Sequence, residues 1–416
     1  MNILQEHTHT IIAKTLKQVM PGSAVKRALE GKNLSGKVVV ISIGKAAWTM
    51  AKAAWEILGD TITKGIVLTK YDHGQGIIPK FTILEAGHPV MDENTISSTE
   101  KILAAVKGLS PEDTVVVLLS GGGSALFEKP AGVLTLSDLQ NVTKQLLGCG
   151  ADIIEINTVR KHLSAVKGGR FAKLCTPAKV YTIALSDILG DQPDAIASGP
   201  TCADTSTVSE AFKIIEKYHL SLSPALLEQL KQETPKELSG VEMCITGSVS
   251  QLCHFAAKEA KALGYTPFVL TSLLDCEARE AGRFLGSVAQ TLAQGNGLSA
   301  SPCAIICGGE TVVHLRGTGK GGRNQEVALA AAPYLEGNTH VVLAAVGSDG
   351  TDGPTDAAGG IVDGTTMEKL RRHHISVSQS LEENDAYHAL QKADALLMTG
   401  ATGTNVNDLY FLLYRP

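Results

Sequence analysis

The sequence predicts an α/β chain, with a parallel sheet in its first half and a mixed sheet in its second. Three observations predict it. Runs such as Val38-Val39-Val40-Ile41 and Thr114-Val115-Val116-Val117-Leu118-Leu119 are apolar without alternation, as strands buried on both faces are. Those runs alternate with longer segments of helical period, which argues for helices on both faces of a sheet. The composition pairs 42 glycines with only 4% aromatic residues, which suits tight strand-to-helix turns. At 416 residues the chain exceeds what one hydrophobic core usually serves, so two domains are expected.

Residues 4–30 carry Ile11, Ile12, Leu16, Val19 and Met20 on one side and are expected to form a helix. A buried strand over 37–43 follows, then the turn Gly44-Lys45 and a helix over 46–58. Short strands are expected at 65–69 and 81–85. The next helix, 92–109, opens with Asp92, Glu93 and Asn94, which favour a positive helix start. A central strand at 114–119 runs into Ser120-Gly121-Gly122-Gly123-Ser124. Helices within 137–148 and 158–173 lead to a strand at 179–185. The polar stretch 220–240, with Ser221, Ser223, Pro224 and Pro235, marks a boundary, giving expected domains of 31–238 and 239–416. In the second series, strands are expected at 243–246, 267–270, 303–307, 311–315, 340–346 and 396–398. Gly308-Gly309-Glu310 reads as a hairpin loop between the strands at 303–307 and 311–315, which would make this sheet mixed.

Several function classes are excluded at this level. A net charge of −5 offers no bulk attraction to nucleic acid. No run of 18 apolar residues is present, so no membrane span is expected. The eight cysteines form no C-x-x-C pair and no zinc pattern, and read as buried free thiols. Met1-Asn2-Ile3-Leu4-Gln5-Glu6 shows no basic region followed by an apolar run, so no secretory signal is expected, and a reducing cytoplasm is the expected compartment.

The residues that could carry chemistry sit where strand patterns end. In Lys320-Gly321-Gly322-Arg323-Asn324-Gln325-Glu326, two glycines permit close backbone approach, a helix begins, and Arg323 adds a planar cation suited to carboxylate or phosphate. Free N–H groups at that helix start would attract an anion. The loop Ser120–Ser124 ends a central strand, where ligands of open α/β sheets bind, and could cradle phosphates. Lys45 ends the first strand among small and apolar neighbours. Asp187 is the first acid past the strand at 179–185, the place for a general base or a magnesium ligand. Asp191 and Asp194 read equally well as turn caps. The stretch 347–356, with Asp349, Asp352 and Asp356, lacks the order of a calcium loop and is expected to be a substrate or metal loop, or plain Asx turns. Gly317-Thr318-Gly319-Lys320-Gly321-Gly322 matches a dinucleotide pattern literally, but no acid ends a following strand about 20 residues on. His88 and His162 are expected in core or capping roles.

Taken together, these stretches resemble the class II glycerate kinases, whose C-terminal half is called the MOFRL domain. The matching runs include Ser42–Ala46, Ala86-Gly87-His88-Pro89-Val90, Leu119–Ala125, Ile156–Ser164, Ser186–Asp191, Ala197–Thr201, Lys320–Glu326, Thr351–Gly359 and Thr402–Asp408, and they span nearly the whole chain. One departure is Met91, where the family often has proline. The resemblance implies a Rossmann-like domain plus a second α/β domain, an active site in the cleft between them, and an N-terminal helix, 1–30, packing on the C-terminal domain. It implies ATP-dependent phosphorylation of D-glycerate to 2-phosphoglycerate with a divalent cation, Mg2+. It implies that Lys45 and Arg323 are essential. The expected roles are Lys45, Arg323 and Asp187 in catalysis and Ser120, Gly121, Gly122, Gly123 and Ser124 on the ATP phosphates. Lys45, Arg323, Asn324 and Asp349 are expected to bind glycerate, and Asp191 and Glu310 to bind the metal. Neither nucleic acid nor membrane is an expected partner, and the chain is expected as a monomer or homodimer. Two other readings stand beside this one: an NAD(P)-dependent hydroxypyruvate reductase, and a non-catalytic sensor of a sugar acid or nucleotide.

Overall fold

The computed structural model describes residues 2–295 and 302–416. The chain divides into two compact units. One comprises 21–186 and 191–246; the other comprises 1–20, 187–190 and 247–416.

The first unit holds six strands: β1 (Val38–Ile43), β2 (Ile62–Lys70), β3 (Phe81–Ala86), β4 (Thr114–Leu119), β5 (Lys179–Leu185) and β6 (Val241–Gly247). Their order is β3-β2-β1-β4-β5-β6, and the pairings from β3 through β5 are all parallel. This is the doubly wound order in which the connections change direction between β1 and β4. Every residue of β1 and β4 is buried, which is why neither shows polar alternation. The helices Pro21–Leu29 and Ala47–Leu58 cover one face, with Val25, Leu29, Met50 and Ala54 against Val40, Leu118 and Ile183.

The second unit holds β7 (Thr266–Leu274), β8 (Cys303–Gly309), β9 (Val341–Gly347), β10 (Gly359–Asp363), β11 (Leu396–Leu397) and β12 (Asp408–Tyr414), in the order β11-β10-β9-β12-β8-β7. The sheet is mixed: β7 and β8 are parallel, while β12 runs antiparallel to both β8 and β9. The helix Ile3–Val19 lies over one face, burying Leu4, Ile11, Ile12 and Val19 with Ile306, Val342 and Phe411. The helices Ala278–Ala293 and Arg323–Leu335 cover the other, with Leu285, Val327 and Leu329 against Ile305, Leu343 and Leu412.

Five expectations need correction. Residues 311–315 form no strand; Val312 makes only an isolated bridge to Glu277. A strand has two edges, and β7 and β12 occupy both edges of β8, so no hairpin partner has a place there. Leu315, which reads as apolar strand, is 83% exposed. The helix expected over 4–30 is two helices, Ile3–Val19 and Pro21–Leu29, because Pro21 cannot continue the first and is favoured at the start of the second. The helix expected over 158–173 is likewise two, Ile153–Leu163 and Arg170–Cys175, separated where Gly168 and Gly169 take φ of 54° and 79°. The strand expected at 243–246 as part of the second series is β6, the edge strand of the first sheet beside β5. All eight cysteines are free, but only Cys175, Cys253, Cys303 and Cys307 are buried, and Cys149 and Cys276 are exposed. No helix among the described residues is long and apolar enough to cross a membrane.

Candidate active site

In the first unit, the strand order reverses between β1 and β4, which opens a crevice beyond their carboxyl ends. The loops that follow these two strands interlock there. Lys45 N donates to Gly121 O (2.9 Å), Ser120 N to Ile43 O (3.0 Å), and Ala46 N to Ser120 Oγ (3.1 Å). Gly44 makes this possible: its φ is +123°, and a Cβ there would lie 2.2 Å from Ser120 Oγ. Lys45 is exposed at the tip of this pair of loops.

Gly122, at φ +87°, begins the single helical turn Gly123–Leu126. A Cβ on Gly122 would stand 3.0 Å from the His88 ring and 3.2 Å from Lys45 Cγ, so the lysine stem, the imidazole and the glycine loop meet. His88 therefore borders the glycine loop and is half-buried there, outside the core. Burial, and then the Lys45 charge, lower its pKa from the ordinary histidine value, so it is neutral at pH 7. His162 is fully buried, with Nδ1 2.8 Å from Thr158 O, as a core histidine should be.

The far side of the loop rests on 194–199. Gly123 packs against Ala197, whose Cβ a glycine substitution would approach at 2.8 Å. Ser124 Oγ lies 2.8 Å from Ser198 Oγ, which donates to Asn157 Oδ1 (2.9 Å). Ala197 and Ser198 both have positive φ, 51° and 60°, a conformation that costs about 1–3 kcal/mol per residue and clusters at functional sites. Asp194 is paired with Lys161 (2.9 Å), which also reaches buried Asp204 (3.1 Å). Asp191, half-buried and also at positive φ, leads into this segment. Asn157 and Ser198 carried no individual signal in the sequence beyond lying within family-matched runs.

In the second unit, antiparallel β12 begins level with the ends of β8 and β9: Asp408 pairs with Gly309 and with Gly347. That register gathers Glu310, Asp349 and Asp408 at one end of the sheet, beside the start of the helix Arg323–Leu335. Arg323 is held by two carboxylates through three bonds. Its Nε donates to Asp408 Oδ2 (2.5 Å), Nη2 to Asp408 Oδ1 (3.3 Å), and Nη1 to Glu310 Oε1 (2.8 Å). Burial works against the guanidinium charge, but Asp408 and Glu310 outweigh it and hold its pKa above the usual value. Asp408 is 2% exposed and also accepts from Tyr410 Oη (3.0 Å).

The helix start is not open, contrary to expectation. Asp352 Oδ1 accepts from Asn324 N (3.1 Å) and Asp352 Oδ2 from Gln325 N (2.9 Å), so the anion at this terminus is the protein's own carboxylate. Gly322 is required for that approach, since a Cβ would fall 2.3 Å from Asp352 Cγ. Asn324 is 1% exposed and donates from Nδ2 to Asp352 (3.2 Å). Asp349 Oδ1 accepts from Thr351 N (3.0 Å), an Asx turn, and lines a cavity of about 710 Å3 together with Arg323, Asn324, Asp352 and the glycines of 317–322. Asp187, half-buried, lies in the segment 187–190 that belongs to this unit.

The literal dinucleotide pattern is closed by protein. Arg316 N and Gly317 N donate to Asn384 Oδ1 (2.7 and 3.0 Å), Gly319 N to Glu383 O (2.8 Å), and Lys320 N to Asp385 Oδ1 (3.0 Å). Asn384 in turn donates from Nδ2 to buried Glu326 (2.8 Å), which ties this cover to the Arg323 helix. Cβ atoms on Gly317 and Gly319 would meet residues 383–385 at about 2.5 Å. The glycines thus approach another loop of the chain, and these amides are already spent.

Among the described residues, no group of three or more His, Cys, Asp or Glu side chains is arranged to hold a metal ion. Magnesium on nucleotide phosphates commonly takes only one or two protein carboxylates, so a lone acid such as Glu310, 43% exposed with Oε1 on Arg323, is chemically compatible.

Residues 7–231 match a domain of unknown function, DUF4147, and residues 303–408 match the MOFRL family. A D-glycerate 2-kinase of Thermotoga maritima is 53% identical over 96% of this chain and 95% of its own length. A crystal structure of glycerate kinase from Thermotoga maritima superposes with a TM-score of 0.95 at 52% identity, covering 99% of each chain. A relative from Agrobacterium vitis, 43% identical over 91% of this chain and 87% of its own, carries a provisional hydroxypyruvate reductase name. The chain belongs to the MOFRL family of class II glycerate kinases.

Proposed function

We infer that the chain transfers the γ-phosphoryl group of ATP to the 2-hydroxyl of D-glycerate, giving 2-phosphoglycerate and ADP. The name and extent of the Thermotoga maritima relative support the substrate and the position phosphorylated. The observation that carries a kinase over a dehydrogenase is the closed Gly317–Gly322 loop: its amides at 317, 319 and 320 are bonded within the chain and cannot hold a dinucleotide pyrophosphate. The kinase names of the Thermotoga maritima relative and of the superposed structure favour catalysis over a non-catalytic sensor.

In this reading the glycerate C2 oxygen attacks the γ-phosphorus in line. The new O–P bond forms as the bond from γ-phosphorus to the bridging oxygen breaks, ADP leaves, and the hydroxyl proton passes to Asp187. Ser120 to Ser124 hold the ATP phosphates, the interlocked Gly44 and Ser120 fixing the loop's shape. Lys45 and Arg323 neutralise charge on the transferred group or on the glycerate carboxylate, because positioning and electrostatics dominate phosphoryl transfer. Asp349 binds glycerate, and Asn324 joins it in lining the cavity beside Arg323. Mg2+ would be held by phosphate oxygens with Asp191 or Glu310, and would neutralise phosphate charge. We place the protein in the cytoplasm, as a monomer or homodimer.

The test is incubation of the protein with ATP, D-glycerate and Mg2+, read by phosphorus NMR. A 2-phosphoglycerate signal is expected. A 3-phosphoglycerate signal would overturn the regiochemistry, and NADH oxidation by hydroxypyruvate without any ATP-dependent product would overturn the kinase.

A further inference from the structure

Beneath the Ser120–Ser124 loop lies a buried charged group with no role so far. Arg160 lies in the last turn of the helix Ile153–Leu163, and Lys167 stands in the connection after it. Both reach the same atom: Arg160 Nη2 and Lys167 Nζ each donate to Ser124 O at 2.8 Å, and Lys167 donates to Phe127 O at 2.9 Å as well. A carbonyl oxygen has two lone pairs, so two cationic donors saturate it. Ser124 lies in a single four-residue turn, Gly123–Leu126, which is too short to hold itself by its own bonds. The carbonyls of such a turn need outside donors, and these two residues supply them.

The charges in this group do not balance. Glu128 and Lys167 are fully buried, and Glu128 Oε2 lies 3.4 Å from Lys167 Nζ and 3.7 Å from Arg160 Nη2. Glu128 Oε1 accepts from Ser164 Oγ. Two cations thus face one carboxylate. Surplus positive charge in a poorly solvated place is costly by itself and becomes favourable when an anion settles nearby. Ser124, the last residue of the glycine loop, is the point both cations contact.

We propose that Arg160 and Lys167 are positioning residues for ATP, holding the Ser120–Ser124 loop in its phosphate-receiving shape and supplying the unbalanced positive charge behind it. The proposal rests on the reading of that loop as the phosphate cradle. Neither side chain needs to touch the nucleotide.

The test compares Arg160→Met, Arg160→Lys, Lys167→Met and Gly122→Ala in the full chain. Calorimetric binding of ATP alone and of D-glycerate alone is measured beside steady-state kinetics. Arg160 is the primary site, because its side chain is partly exposed and the fold survives its loss more readily than that of buried Lys167. Losing one charge-assisted bond predicts ATP affinity down about tenfold or more in Arg160→Met, with D-glycerate affinity within about twofold and most of the loss recovered in Arg160→Lys. ATP affinity unchanged in Arg160→Met but weakened in Gly122→Ala would overturn the positioning role and leave the cradle standing. Equal loss of both ligands, with a lowered melting temperature, would reduce the group to fold support. ATP affinity unchanged in Gly122→Ala would sink the cradle and this proposal together.

Discussion

Asp408→Asn keeps the side chain's shape and removes its charge. In the native chain the carboxylate accepts from Arg323 Nε at 2.5 Å, from Arg323 Nη2 at 3.3 Å and from Tyr410 Oη at 3.0 Å. An asparagine brings a donor to a site lined by donors, so at least one of these bonds is lost. Two unit charges about 4 Å apart attract by roughly 4 kcal/mol at an effective dielectric of 20. The Arg323 side chain is 31% exposed and keeps Glu310, so water and that carboxylate recover part of this. A net loss of about 2 kcal/mol is expected, less than the 3–5 kcal/mol of a broken fully buried pair. For a unit of this size that lowers the melting temperature by about 4–8 °C if the unit unfolds by itself. If the pair also aims Arg323 at the transferred phosphoryl group, the same 2 kcal/mol lowers kcat/KM about 30-fold. Thermal melts and coupled ADP-release kinetics read the two effects. An Asp408→Asn protein with wild-type melting and kcat/KM within twofold would refute the view that this carboxylate holds the arginine.

Three further outcomes are expected. Arg323→Ala should lower kcat by about 10³ or more if the guanidinium touches the moving charge, and a turnover number near wild type would remove it from the mechanism. Gly44→Ala places a Cβ 2.2 Å from Ser120 Oγ at φ +123°, so the β1 and β4 loops must part; activity should be lost, with about 2–3 kcal/mol of stability, and an active variant in urea melts would show that the interlock is dispensable. Burial pushes the Asp352 pKa up to about 6, above the usual carboxylate value, although Asn324 and Gln325 N–H bonds pull it down. A raised acid contributes stability that is fully present below about pH 4 and is lost as the pH rises through about 6. Asp352→Asn should therefore flatten the wild-type gain in stability, roughly 2 kcal/mol between pH 7 and pH 4, which urea melts at the two pH values will show. A variant with the wild-type slope would assign that gain to other groups.

Local pattern was enough wherever a segment's own residues decided its state. β4 and β5 fall at 114–119 and 179–185, as the unbroken apolar runs predict, because a central parallel strand needs no partner-specific information to be apolar on both faces. The turns after β1 and β4 were legible for a similar reason: glycines directly after a buried strand have few other uses. β12 was not singled out, although Asp408–Tyr414 is almost wholly apolar, because Asp408 closes one matched motif and the run after it has no turn signal of its own. The false strand at 311–315 arose from the converse error. Val312, Val313 and Leu315 satisfy strand propensity, but propensity cannot report that both edges of β8 are taken.

The sequence by itself determined the α/β class, the parallel first sheet, the glycine loop at 120–124 and the cationic residues Lys45 and Arg323, since each is a property of residue type at a strand or helix end. Tertiary structure alone decided which anion the Arg323 helix start holds. The free N–H groups read from sequence are filled by Asp352, 28 residues away, and the arginine is gripped by Asp408, 85 residues away. It also decided that the Gly317–Gly322 loop is closed and that His88 borders Gly122. These are contacts between residues distant in the chain. Local pattern can state that a glycine permits close approach, but only the packed fold determines what approaches.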